Sequence, residues 1–557
     1  MKSLKTALLA TSLLLSPLAS IASMPMADSR MDDMTAAPGA PIDYGFGPGM
    51  GKHGPEAPAR LRTGAGGRRV SSPAYVFGAT PVGGANAGVG GYFDPPVSWP
   101  INGLHELLLS DGRVVNYGTN QRGQQGAQLW YDVWTPSLGT GADAHALLPN
   151  TTTTDIFCSM QSLLWGSGNV LITGGDLTIS GKRNYSNNNT NIFNPQTNTL
   201  TSIGPMQYPR WYPSIVGMPN GDMLTLGGRL APASPAVTPE VYSPSTGWRT
   251  LTGITLPDSN VAFGNYYADW FYPKGFVAPS GNVFIVGPDG RMWNISTTGA
   301  GTLTRIPGAV PYGSNQLSTV MYAPGKLLSL RLNSATELID INGAQPVVTV
   351  GAPIDQVRFW STATVLPDGT VAVTGGSSVA NKLINVDYTT ELWNPTTGQW
   401  TAGATATKPR LYHSIALLLP VATLLTGAGG TPGPVNELNA EIYYPPYLYL
   451  NDGSGNPAPR PILVNAPATA TIGQTVTATV GPTDVINRVT FVRTGSMTHS
   501  TNIDQRFIEA SFTQTGNVIT ATLPSNPNVM TPGYYMMFVL ANGVPSVSQI
   551  MLVNTAG

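Results

Sequence analysis

The 557-residue chain contains a single cysteine, and only 10% of its residues are charged, far below the roughly 25% of an average soluble domain. One thiol cannot close an internal disulfide, nor can it build a zinc ribbon or an iron–sulfur cluster. The 28 Lys and Arg against 29 Asp and Glu give a formal net charge of -1, and without a basic surface nucleic acid is excluded as the main partner. Histidine is scarce too, with 5 residues. No apolar run is long enough to span a bilayer; the closest beyond the first residues, Ser414 to Leu425, is split by Pro420. What is abundant is glycine (64) and proline (49), the mark of strands joined by many turns.

The chain opens Met1-Lys2-Ser3-Leu4-Lys5, followed by an apolar run from Ala7 to Leu15 and small residues from Ala19 to Ser23. That order of basic, apolar and small residues is a secretory signal peptide, so residues 1–23 are expected to direct export out of the cytoplasm. Residues 24–94 are rich in Gly, Pro, Ala and Met without apolar periodicity and read as a flexible leader. Met24, Met26, Met31, Met34 and His53 could hold a soft metal ion there; a disordered linker is the plainer account. In an oxidising compartment an unpaired cysteine is out of place unless it is buried and inert or chemically used.

A turn followed by a short apolar strand recurs at Asp111-Gly112-Arg113-Val114-Val115, at Gly168 to Gly175, Gly221 to Gly228, Gly281 to Gly287, Gly325 to Leu328 and Asp368 to Gly376, with a degenerate seventh copy at Val421 to Gly427. Aromatic-rich strands ending in turns follow, as in Tyr242-Ser243-Pro244-Ser245-Thr246-Gly247-Trp248. The mean period of about 52 residues suits a kelch-type blade of four strands, and seven blades close radially into a β-propeller. Residues 95–460 are therefore expected to form the propeller. From 461 to 557 short alternating strands predict an immunoglobulin-like β-sandwich, making the chain all-β.

The period also says which residues meet. Nine positions before each turn lie Gly103, Ser159, Tyr212, Tyr272, Gln316, Trp360 and Tyr412, and three blades share a local text: Arg210-Trp211-Tyr212-Pro213-Ser214, Arg358-Phe359-Trp360-Ser361-Thr362 and Arg410-Leu411-Tyr412-His413-Ser414. Equivalent points at the start of inner strands ring one end of the channel. Cys158 lies one place from the ring, in the blade before Tyr212. Taken singly, aromatics at blade positions are packing residues and a lone cysteine is a small buried hydrophobe. Together, two phenols, an imidazole and a thiol at one channel mouth form a ligand set that suits copper.

With these residues in view the sequence resembles the copper-radical oxidase family of galactose oxidase and glyoxal oxidase, over roughly residues 95–557. The motifs that carry the resemblance are Phe157-Cys158, Arg210-Trp211-Tyr212-Pro213-Ser214, Arg410-Leu411-Tyr412-His413-Ser414, and Thr498-His499-Ser500-Thr501-Asn502 with Asp504-Gln505-Arg506. The resemblance implies one copper ion bound by Tyr212, Tyr412, His413 and His499, the last on a loop of the C-terminal domain. It also implies a thioether between Cys158 and the Tyr212 ring, which together form a protein-derived radical cofactor. Substrate would bind at the open copper position, Tyr412 would take its hydroxyl proton, and the Tyr212 radical would take a hydrogen atom from its carbon. Dioxygen would leave as hydrogen peroxide. The family's stacking tryptophan is not fixed by the text: Trp211, Trp270, Trp99 and Trp360 are candidates. The leader is too short for the N-terminal carbohydrate-binding domain of the galactose oxidase branch, and the Trp-containing text resembles the glyoxal oxidase branch more.

The expected activity is oxidation of small aldehydes, hydroxycarbonyls or primary alcohols by dioxygen. Peroxide-using enzymes or cell-wall glycan are the partners that such a secreted oxidase would suit. The alternative is a non-catalytic kelch propeller that binds glycan or cell-wall polymer, which has no reason to keep Cys158, Tyr212, Tyr412, His413 and His499 together. A calcium-dependent lyase would carry acidic ligand clusters, and none is apparent.

Overall fold

The computed structural model describes residues 80–231, 234–255 and 270–555. The signal peptide and most of the leader lie outside the described residues. Seven antiparallel sheets follow one another along the chain, as the repeat predicts. The third is representative, pairing Ser214–Gly217, Met223–Leu226, Glu240–Ser243 and Gly247–Thr250 in that order. Its first two strands are buried at every residue, while the fourth is only partly covered. Inner strands are flanked by neighbouring blades, so their text is a continuous apolar run rather than an alternation.

Glycine pairs at the ends of the second strands let adjacent blades approach. Gly175 donates its N–H to the Arg210 carbonyl of the next blade at 2.9 Å, and Gly376 donates to Arg410 O at 2.7 Å. Gly174 has φ +69, and a Cβ there would stand 2.2 Å from the Arg210 oxygen. Only glycine fits both demands. The arginines of the three matching motifs are structural staples. Arg210, Arg358 and Arg410 each reach a third-strand glutamate of their own blade, Glu240, Glu391 and Glu441, at 2.9 Å.

The ring closes with strands from both ends of the described chain. Asn439–Tyr444 of the seventh blade pairs with Tyr92–Phe93 and Val97–Ser98. Residues 87–93 fall within the stretch assigned to the flexible leader, yet Ala87–Gly90 is a helical turn and Phe93 packs on Tyr443 with ring centroids 4.9 Å apart. Two buried rings anchor a segment whose composition alone suggests looseness.

The C-terminal strands form one nine-stranded system with its own apolar core around Val489, Phe491, Ile519 and Val539. Phe507–Thr515 joins its two faces, pairing first with Arg488–Arg493 and then with Val518–Thr522. One hairpin leaves this domain: Ser496–Thr498 turns into Thr501–Asn502 and adds to the innermost strand of blade 1, with Glu106 opposite Met497 and Leu107 opposite Ser496. The residues after it pin it to three blades. Asp504 accepts from Ser162 Oγ at 2.5 Å, Gln505 bonds Val365 N and O at 2.7 and 3.2 Å, and Arg506 donates to Val277 O at 3.3 Å.

Both members of the Arg210–Glu240 pair are fully buried. Glu240→Ala leaves the guanidinium uncompensated and is expected to cost about 3–5 kcal/mol, measured as a lowered midpoint in urea unfolding with an unchanged slope.

Candidate metal centre

The hairpin delivers His499 to the end of the channel where the ring residues gather. Cys158, Tyr212, Tyr412, His413 and His499 are between 0% and 2% exposed, and all five meet. The Tyr212 and Tyr412 hydroxyls are hydrogen-bonded to each other. The ligand atoms of Cys158, His413 and His499 lie within 4.8 Å of one another, with the thiol 4.0 Å from His499 Nε2. The His413 and His499 rings are 4.4 Å apart and nearly perpendicular, at 88°. No carboxylate belongs to this group.

Second partners aim the imidazoles. His413 Nδ1 lies 2.6 Å from Gly430 O. A carbonyl only accepts, so Nδ1 carries the proton and Nε2 presents a lone pair. That buried Nε2 has no hydrogen-bond partner. His499 Nδ1 is bonded to the hydroxyl of Thr498, leaving Nε2 toward the thiol. A metal-ligating histidine is oriented in this way, its second nitrogen held by a carbonyl or hydroxyl. Two imidazole nitrogens and two phenol oxygens around an orphaned lone pair fit a copper ion.

Burial sets the electrostatics. It pushes the Cys158 thiol and the Tyr212 and Tyr412 phenols well above their ordinary values. It pulls His413 down to about 3 and His499 well below the usual imidazole range. Every group is thus neutral without a cation, and a bound divalent ion reverses that balance for the phenols.

Among the candidate tryptophans, Trp211 stacks on Tyr212, with centroids 3.8 Å apart at 24°, and the Arg229 guanidinium sits 4.2 Å over the Trp211 ring. Trp360 leans on Tyr412 at 4.7 Å. Trp99 packs on Trp134 and His145 instead, and Trp270 lies edge-on to Phe271. Two participants carry no role in the sequence reading. Tyr272 lies against Tyr212 and His499 at 4.9 and 4.6 Å. His105, two residues beyond the ring glycine of blade 1, accepts the Cys158 amide N–H at 3.1 Å. Tyr272 was visible as a ring position; for His105 the signal was only the scarcity of histidine.

Comparison with known proteins agrees with this arrangement. Residues 460–553 match the family model described as galactose oxidase-like, Early set domain. Galactose oxidase of Gibberella zeae is 28% identical over 506 residues, covering 83% of this chain and 70% of that protein. The chain is a relative of galactose oxidase. Aldehyde oxidase GLOX1 of Arabidopsis thaliana is 24% identical over 486 residues, covering 75% and 74% of the two chains. A fungal alcohol oxidase of the AA5 family, solved in complex with copper, shares the fold with a TM-score of 0.73 at 24% identity, covering 83% of this chain and 99% of that one. The sequence relatives bear out the reading of the chain as an oxidase of this group, and the solved neighbour shares its fold. No helix among the described residues is long and apolar enough to cross a membrane.

His499→Ala removes one aimed lone pair while the rest of the hairpin stays pinned. Cu(II) affinity is expected to fall by at least about 10–100-fold, the range for losing even an outer partner of a metal ligand, read by titration calorimetry of the copper-free protein.

Proposed function

We propose that the chain is an exported copper-radical oxidase that takes two electrons from small aldehydes, hydroxycarbonyls or primary alcohols and passes them to dioxygen. The observation that carries this reading is the convergence of the only thiol with two phenols and two aimed imidazoles at one buried point. Tyr212, Tyr412, His413 and His499 would hold the copper, and His499 would reach it from the C-terminal domain. Bound copper would supply a one-electron redox partner and lower the proton affinity of a substrate hydroxyl.

The remaining chemistry belongs to the side chains. Cys158 and Tyr212 would join by a thioether, with the loss of one hydrogen from sulfur and one from the ring, dioxygen taking the electron pair. The joined Tyr212 would carry the radical, and Trp211 covers its ring from water. Tyr412, hydrogen-bonded to Tyr212 through its hydroxyl, would receive the substrate's hydroxyl proton. Removal of that proton, a hydrogen atom from carbon and one further electron makes the carbonyl product. Dioxygen accepts the two electrons and two protons and leaves as hydrogen peroxide. Similarity to both galactose oxidase and aldehyde oxidases supports these substrate classes. The rings of Trp211, Tyr272 and Trp360 beside the two tyrosines favour small substrates with an apolar face.

The protein loaded with copper in air is expected to release peroxide with glyoxals, glycolaldehyde, galactose or simple alcohols, and its intact mass is expected to fall by two hydrogens. Cys158→Ala is expected to abolish the mass loss and nearly all turnover. An unchanged mass in the wild type after loading would sink the radical mechanism.

A further inference from the structure

The ring of blades is stitched by a regular bond. The Tyr212 amide N–H donates to the Cys158 carbonyl at 2.9 Å, Tyr272 to Tyr212 at 2.9 Å, and Trp360 to Gln316 at 2.8 Å. In each, a ring residue hangs on a carbonyl of the preceding blade, that of the ring residue in the last two and of its neighbour Cys158 in the first. Between blades 1 and 2 the pattern changes, because the Cys158 N–H donates to the Nε2 atom of His105 at 3.1 Å. An imidazole stands where these three junctions use backbone.

The protonation of that imidazole is fixed by a chain of bonds. The Met497 carbonyl can only accept, and Gln161 Nε2 donates to it at 3.0 Å. Gln161 Oε1 therefore faces the other way, toward His105 Nδ1 at 3.1 Å and the Tyr117 hydroxyl at 2.9 Å. Nδ1 then carries the hydrogen, and Nε2 is left as the acceptor that Cys158 requires. The His105 ring is held flat on Tyr117, with centroids 4.6 Å apart at 11°. His105, Tyr117 and Gln161 are completely buried, so no water replaces any of these partners. Met497 lies two residues before His499, so one chain of bonds reaches both the cysteine and the strand that carries a candidate ligand.

Cys158 needs such a hold. Its φ is +56 and that of Tyr212 is +64, a left-handed backbone that side chains other than glycine adopt only when surroundings impose it. We propose that His105 is a positioning residue for the cofactor: its Nε2 fixes the Cys158 amide in the left-handed conformation that turns the thiol to Tyr212. The inference rests on the copper-radical reading and adds to it the residue that prepares the thioether. His105 touches neither substrate nor metal in this role.

The test follows thioether formation by intact mass after the copper-free full chain is given Cu(II) in air. His105→Phe keeps a ring on Tyr117 but offers no acceptor; cross-linking is expected to slow by about 10–100-fold, the usual cost of losing a residue that orients a site, with Cu(II) affinity unchanged. His105→Gln places an amide oxygen near the position of Nε2 and is expected to restore the rate to within a few-fold of wild type. A wild-type rate in folded His105→Phe, or equal slowing in both variants, overturns the inference. Should His105→Phe fail to fold, His105→Gln decides alone: near-wild-type cross-linking supports the proposal, and slowing by about ten-fold or more overturns it. Absence of mass loss in the wild type overturns the underlying reading as well, an outcome distinct from wild-type cross-linking that the variants share.

Discussion

Everything at the channel mouth depends on one strand pairing. Ser496–Thr498 adds to His105–Leu108, so the C-terminal domain becomes part of blade 1 rather than a neighbour of the propeller. A loop entering a channel without such a ladder would leave backbone N–H and C=O groups buried and unsatisfied. Here the ladder takes up part of them, and Lys274 and Ser318 reach the Ser500 carbonyl at 3.4 and 3.3 Å from blades 4 and 5. His499 is therefore placed by at least three blades at once. The sequence Asp504-Gln505-Arg506 makes physical sense in the same terms, since each of its side chains ties the returning chain to a different inner strand.

A second constraint is a cluster of strained backbone at this place. Cys158, Tyr212, Tyr272, Trp360, His413 and His499 all have φ between +44 and +69. Each such residue costs on the order of 1–3 kcal/mol, and six in one cluster persist only because the ring-to-ring bonds and the hairpin hold them. A right-handed or extended backbone at the start of each inner strand would send these side chains along the blade instead of into the axis. At these six positions the strain helps to turn a repeat of strands into a convergence of side chains, while Tyr412 reaches the centre without a positive φ.

That convergence was legible because the period is regular: residues some two hundred positions apart, such as Tyr212 and Tyr412, share a repeat position and so share a place. The thiol was legible for the same reason. The stacking tryptophan was not, because the text Arg210-Trp211-Tyr212 gives position along the chain and not the side-chain rotation that lays Trp211 on Tyr212. His105 escaped because blade 1 carries glycine at the ring position and its histidine matches no repeated text. The closure of the seventh blade by Tyr92–Phe93 escaped because two residues are too short to show a strand period. Composition marked that segment as loose, and burial against Tyr443 overrode it.

The charge balance of the centre explains why phenols rather than carboxylates were selected by this architecture. The group is buried, and its members are neutral in the absence of a cation, so nothing repels its parts and the fold can assemble around it. A carboxylate that stayed charged at the same depth would be unpaired, at a cost in desolvation. A divalent ion entering among neutral groups needs compensation from within, and Tyr212 and Tyr412 can supply it by releasing protons. The two hydroxyls already share a hydrogen bond, so one proton position lies between them before any ion arrives. The same two phenols that keep the empty fold neutral are then the anions that hold the metal. The centre thus stays neutral when empty and gains charge only when an ion binds, unlike the permanently paired Arg210 and Glu240 of its blade.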